Sequence, residues 1–354
     1  MRRHQRTALA LGAVLVLAAC SAGQDTASVE PAAEQGAEGC DSIDLDSPPA
    51  QPTTLRIGHG AASEEPFWLL EVDDELAANK GSWYEMDLKP FRGTGERLTA
   101  YQAGELDAVV ISPQAQIQGT ARGALDLYAV ATIMREGGAD SFSTSFVALE
   151  SAGVAGVEDL LGKRIAIIDE GSQLDFLARQ GIAQGGGEPD RDAEYVVFPF
   201  PAQEEALRGG QIDVAGLPEP FFTLAMSKGG VTKVFDAADV SDFSYDLLTM
   251  SFDREFVEDN LGAVCAWAAD YRESMDYWKN DNEAARAQLV GTPFVPLPGP
   301  VYAKTGDYER PDDGTVDTEG MSNMIEQMVE FGILEESDRL DPETLVRKGV
   351  SIGH

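Results

Sequence analysis

Positive charge is in short supply in this chain: 26 Lys and Arg stand against 61 Asp and Glu over 354 residues, a formal net charge of −35. So acidic a surface repels a phosphate backbone, which excludes nucleic acid as a partner. The acid is spread along the chain rather than gathered in a tail, so most of it reads as solvated surface. It does not set the charge of a small ligand, because a pocket's own field can oppose that of the whole molecule. Histidine is scarcer still, with His4, His59 and His354 the only three. Only His59 falls inside the body, which leaves little material for a Ser–His or Cys–His nucleophile. No His-Glu-x-x-His, no zinc-spaced Cys/His cluster and no Gly-x-x-x-x-Gly-Lys-[Ser/Thr] phosphate loop occurs. Nor is there a Gly-x-Ser-x-Gly elbow. The expectation is therefore no metal, no cofactor and no enzyme. Paired carboxylates of the glycosidase kind keep a secreted hydrolase as a remote alternative.

Long apolar runs are also missing. The best, Ala8 to Ala19, is too short to span a bilayer, which takes about 20 residues. Behind Arg2, Arg3 and Arg6 it has the form of an export signal over 1–19. Leu17-Ala18-Ala19-Cys20 resembles a bacterial lipobox, in which Cys20 is acylated and becomes the first mature residue. An ordinary signal cleaved nearby is the alternative. Either way the protein is exported. From 20 to 54 the chain is Ala, Gly, Ser, Glu, Pro and Asp with almost no large apolar residue, as expected of a flexible, lipid-anchored tether on the outer face of the membrane. Two cysteines remain, Cys40 and Cys265. Outside the cell an even remainder reads as a disulfide pinning the tether to the body, the alternative being two unrelated thiols.

What the chain does have is a phrase used twice. Gly104-Glu105-Leu106-Asp107 opens an apolar strand that stops at Ser112-Pro113, and Gly210-Gln211-Ile212-Asp213 opens one that stops at Pro218-Glu219-Pro220. Arg56-Ile57 and Arg164-Ile165 begin earlier strands at nearly the same offset. A unit of this size is too long for a solenoid repeat, which runs about 20–50 residues, and suits a small α/β lobe. Strands and helices alternate through each unit, which implies crossover connections and a mainly parallel sheet. Pro66 starts a first helix read as running past Leu76 to Gly81, and Ser112 with Pro113 starts another. Leu247 to Phe252 reads as a strand returning to the first lobe, and the remainder is mostly helical. Lobe 1 is thus 55–147 plus 248–354 and lobe 2 is 148–247, with two chain crossings as the hinge.

With Arg56-Ile57-Gly58, Gly104-Glu105-Leu106-Asp107-Ala108, Leu161-Gly162-Lys163-Arg164-Ile165-Ala166 and the Glu219-Pro220 turn in place, the chain resembles solute-binding lipoproteins of ABC importers. Within them it is similar to the nitrate/sulfonate/taurine branch, which shares its domain with thiamine-pyrimidine binders. The resemblance implies a type II periplasmic-binding-protein fold, two α/β lobes on a two-strand hinge. It further implies a monomeric receptor that closes on one small organic anion and delivers it to a membrane permease. A heteroaromatic ligand is the alternative, motivated by Phe67, Trp68 and Phe221. Ligands of open α/β sheets bind beyond the carboxyl ends of the strands, where helix N-termini favour an anion. The candidate contacts are therefore His59, Gly60, Trp68, Thr94, Gly95, Ser112 and Gln114 in the first lobe, and Gly171, Ser172, Glu219 and Phe221 in the second. Each has a plainer role open to it. Ser112 and Ser172 can simply cap helices, Trp68 can pack in its own lobe, and Glu219 can hold its turn. Asp107 and Asp213 read as structural, and Glu136 and Asp140 as a solvated hinge loop.

Overall fold

A computed structural model describes residues 39–137 and 141–353. The export signal, Cys20, the first part of the tether and Asp140 lie outside the described residues. The chain first builds β1 (Thr53–His59), α1 (Glu65–Val72), β2 (Tyr84–Pro90), α2 (Thr94–Gln102), β3 (Ala108–Ile111), α3 (Pro113–Ala121) and β4 (Leu127–Glu136). It crosses to β5 (Ser145–Leu149), β6 (Arg164–Ile167), α4 (Gln173–Gln184), β7 (Glu194–Val197), α5 (Phe200–Arg208), β8 (Val214–Leu217), α6 (Phe221–Ser227), β9 (Val231–Asp236) and α7 (Ala237–Val240). It returns through β10 (Tyr245–Asp253) to α8 (Arg254–Asp259), α9 (Leu261–Asn280), α10 (Asn282–Leu289), α11 (Gly299–Tyr302) and α12 (Thr318–Glu330).

Two five-stranded sheets result, ordered β2-β1-β3-β10-β4 and β7-β6-β8-β5-β9. Each is mixed rather than mainly parallel. β1 runs parallel to β2 and β3, but β10 is antiparallel to β3 and β4. Likewise β6 is parallel to β7 and β8, while β5 is antiparallel to β8 and β9. The cause is the crossing itself. β5 and β10 each arrive from the other lobe at the cleft edge and run outward, against the local crossover strands. By sheet membership the crossings fall at 137–144 and 237–244, a few residues before the boundaries read from sequence. Four elements were not legible: α6, α7, α11 and the edge strand β9. The first helix is also shorter than its pattern, eight residues ending at Val72. Asp73 closes a local turn with Glu75 N–H (3.0 Å), and such turns compete with helix.

In lobe 1, α9 lays Trp267, Tyr271 and Trp278, all fully buried, against the sheet and α1. The strap before β1 is part of this lobe. Cys40 and Cys265 are joined by a disulfide, Cys40 N–H donates to the Gly349 carbonyl (2.6 Å), and Trp83 Nε1 donates to the Leu45 carbonyl (2.9 Å). The tether therefore lies on the body from Gly39 onward, because Ile43 and Leu45 have a core to join.

The repeated phrase turns out to be a latch. Arg56 N and Nε donate to Asp107 Oδ2 (3.0 and 2.8 Å), and Arg164 N and Nε donate to Asp213 Oδ2 (2.9 and 3.1 Å). Each guanidinium also donates to a carbonyl of the phrase itself, Gly104 or Gln211 (both 2.7 Å). The carboxylates differ in burial, with side-chain exposure of 8% for Asp107 and 33% for Asp213. Losing a buried, charged acceptor costs about 1.5–3 kcal/mol, and the exposed copy should cost about 1 kcal/mol or less. Asp107→Ala should therefore lower the chemical-denaturation midpoint more than Asp213→Ala. Equal effects would show that the latch is not stabilised by burial.

Candidate functional site

All six parallel strands end toward the gap between the sheets, so the helices that follow them present their N-termini there. A cavity of about 590 Å³ fills this gap. Its wall is the loop Gly60–Glu64 before α1, the approach Pro90–Thr94 to α2, Ser112 before α3, Ser172–Gln173 at α4 and Pro199–Ala202 at α5. Most of the rest is apolar, from Met134, Leu174, Leu177 and Leu247 among others.

Of the residues expected from sequence, Gly60, Thr94, Ser112 and Ser172 line this cavity. Both serines also cap, Ser112 Oγ accepting from Ala115 N–H (3.2 Å) and Ser172 Oγ from Asp175 N–H (3.3 Å). His59, Trp68 and Phe221 line a neighbouring chamber instead. Four expected contacts lie on neither wall, and for Gly95, Gly171 and Glu219 a protein group has taken the ligand's place. Gly95 N–H donates to Asp169 Oδ2 of the other lobe (3.2 Å). Asp169 comes so close that a Cβ on the adjacent Gly93 would sit 2.5 Å from the same oxygen. Gln114 is 1% exposed beneath the surface. Gly171 adopts φ +74°, where glycine is favoured, and its N–H donates to Asp175 Oδ2 (2.8 Å). Glu219 accepts from Thr223 Oγ1 (2.8 Å), Thr223 N–H (3.2 Å) and Gly306 N–H (2.9 Å). It holds the α6 turn and ties the lobes together rather than facing the cavity.

The charged residues on the wall were not singled out from sequence. Arg97, one turn into α2, is 6% exposed. Its Nε and Nη1 have no hydrogen-bond partner, and the nearest carboxylate oxygen, Glu64 Oε1, is 4.0 Å away. A buried guanidinium with open N–H groups is costly unless something supplies acceptors. Its signal was legible in principle, since Arg97 shares the buried face of α2 with Ala100 and Tyr101, where an apolar residue belongs. Glu64 is 1% exposed and accepts from Gly60 N–H (2.8 Å). Burial pushes its carboxyl up to about 7, against the pull of Arg97 and that N–H. His59, held by the Gly60 carbonyl (2.9 Å), is pushed down to about 4 by burial and by Arg97, so it is neutral at ordinary pH. Glu136 is fully buried at the end of β4, not on a solvated loop. Its carboxylate accepts from Thr144 N–H (3.1 Å) across the crossing, and burial raises it to about 7.

These shifts have a definite sign. A carboxyl raised in the folded state binds its proton before the unfolded chain does, so its contribution to stability is present at low pH and lost as pH rises through about 7. A depressed histidine acts the opposite way, but only between about 6.5 and 4. An anion placed beside Glu64 raises that carboxyl further, so binding takes up a proton. For a permanently charged anion, affinity should fall as pH rises from 6 to 8, by at most about tenfold per unit. Glu64→Gln should flatten that profile. Titration calorimetry in buffers of different ionisation enthalpy measures the proton uptake, and a flat wild-type profile would refute the coupling.

The chain is 25% identical over 267 residues, 74% of its length and 78% of the relative's, to an Escherichia coli (strain K12) protein named for binding aliphatic sulfonates. Its fold is shared by the alkanesulfonate-binding protein SsuA of Xanthomonas axonopodis pv. citri bound to MOPS (TM-score 0.67, 17% identity, 84% of this chain and 99% of that one). It is shared also by the periplasmic nitrate-binding protein NrtA of Synechocystis PCC 6803 (TM-score 0.66, 13% identity, 84% and 87%). At such identities the likeness is one of fold, the two-lobed periplasmic-binding-protein architecture. A model of the NMT1-like family matches residues 48–291, well over half of the sequence, and the chain belongs to that family.

Proposed function

We propose that this protein is the extracytoplasmic solute-binding component of an ABC importer, and that it captures an organic anion with an apolar body between its lobes. The observation that carries this reading is the buried guanidinium of Arg97, its Nε and Nη1 unpaired, on the wall of a mostly apolar interlobe cavity. Sulfonate- and nitrate-binding relatives support the anion. The cavity volume favours the larger of the two, because nitrate fills only on the order of 100 Å³ (about three waters). Lobes divided at 137–144 and 237–244 rotate to admit the ligand, with Thr94, Ser112 and Ser172 joining Arg97 around its head. The closed monomer then docks on a permease and does not consume its ligand. Cys20 carries the lipid that holds it at the membrane.

A thermal-shift screen of alkyl and aryl sulfonates, nitrate, aromatic acids and pyrimidines tests the ligand class. Sulfonates should raise the melting temperature and be recovered intact. If only uncharged or cationic compounds do so, the anion reading fails. Mass spectrometry of the mature amino terminus tests the anchor, with a diacylated Cys20 expected and an unmodified terminus counting against it.

A further inference from the structure

A second chamber, also of about 590 Å³, adjoins the first. A cleft of this size suits a drug-sized group. Gly60, Ala61, Ser63, Pro90 and Pro201 line both chambers, so the two meet along one strip of the cleft. Ser63 on that strip holds φ +53°, a strained value for a non-glycine residue. It is fixed there by Ser63 Oγ donating to the Glu219 carbonyl (3.1 Å) and by Arg310 Nη1 donating to the Ser63 carbonyl (3.1 Å).

The walls of this chamber are aromatic. Phe294, on the proline-rich loop after α10, stacks on Trp68 (5.6 Å, 12°) and takes the His59 ring edge-on (5.8 Å, 60°). It remains only half-buried. From the other lobe comes Phe221, stacked on Phe200 (5.5 Å, 29°). Phe200 lines the first chamber and Phe221 the second, so an aromatic wall runs from one to the other. The acids do not call for a cation: Glu65 is paired with Arg310 (2.8 Å) and Tyr302 (3.3 Å), and Glu71 is at the rim near Lys80 (3.6 Å).

We infer that the second chamber is a subsite for an aryl group, and that the ligand is an aryl-bearing organic anion whose head meets Arg97 while its ring lies between Phe294 and Phe221. This rests on the anion-receptor reading and narrows it from alkyl to aryl compounds. Planar rings pair favourably with fixed aromatic walls beyond the area they bury, and two ready-made walls from opposite lobes also reward closure.

Calorimetry with hexanesulfonate and 4-phenylbutanesulfonate on the full mature protein tests it. The phenyl compound should bind at least tenfold more tightly. Phe294→Ala should remove most of that advantage and leave hexanesulfonate within twofold, and Phe221→Leu should act the same way should Phe294→Ala fold poorly. If both compounds bind the wild type alike, or if neither variant weakens the phenyl compound more than hexanesulfonate while Arg97→Met still abolishes both, the aryl subsite is wrong and the anion receptor stands. If neither sulfonate binds the wild type, both readings fall.

Discussion

Arg97→Met should weaken binding of the organic anion by about a hundredfold or more. The arginine is buried, its Nε and Nη1 are unpaired, and no other cation on the wall is buried to the same degree. Removing one partner of a desolvated charge pair costs about 2–5 kcal/mol, and each 1.4 kcal/mol is tenfold in affinity. Arg97→Lys should recover only part of the loss, because an ammonium cannot reproduce a forked pair of N–H donors. Stability should respond weakly, since the open guanidinium burdens the unliganded fold. The Met variant does leave Glu64 without its nearest cation, so the double variant Arg97→Met, Glu64→Gln separates the two effects. Binding within threefold of wild type in the single variant would remove Arg97 from the site.

Opening the disulfide, by Cys40→Ser with Cys265→Ser, should lower the melting temperature by about 10 °C. The bond closes a loop spanning 225 positions, which includes all of lobe 2. On the chain-entropy account a loop of that length withholds about 5 kcal/mol from the unfolded state, and measured losses run about 2–5 kcal/mol. For a domain of this size each kcal/mol moves the midpoint by roughly 2–4 °C. Part of the strap should stay docked through the Trp83–Leu45 bond and the Cys40–Gly349 backbone bond. Anion affinity should stay within twofold, because neither cysteine lines either chamber. A shift below about 2 °C in a calorimetric scan would mean that those backbone bonds alone hold the strap.

Much of the architecture was legible because it is local. Ser112-Pro113 and Ser172 start helices wherever they stand, and the doubled Gly-x-[Leu/Ile]-Asp phrase marks two like units. The sites where reading failed were settled by neighbours distant in sequence. β9 is only a short run from Val231 to Asp236, the N-cap of α7, with little local signal, yet it completes the second sheet by pairing with β5. Glu136 looked like hinge surface because charge normally seeks water. Its partner Thr144 lies across the chain crossing and draws it inside.

The candidate site divides the same way. Residue order alone placed a ring of helix N-termini at one cleft, because a strand-to-helix turn always leaves free N–H groups at the strand's carboxyl end. Which of those groups remain open is a matter of competition within the folded body. Asp169 takes the Gly95 N–H, and Gly306 with Thr223 saturates Glu219, while nothing reaches Arg97 Nε. Local pattern therefore sufficed for the two lobes and the position of the cleft. The guanidinium that a ligand would meet, and the aromatic chamber beside it, exist only where segments far apart in the chain meet and exclude water.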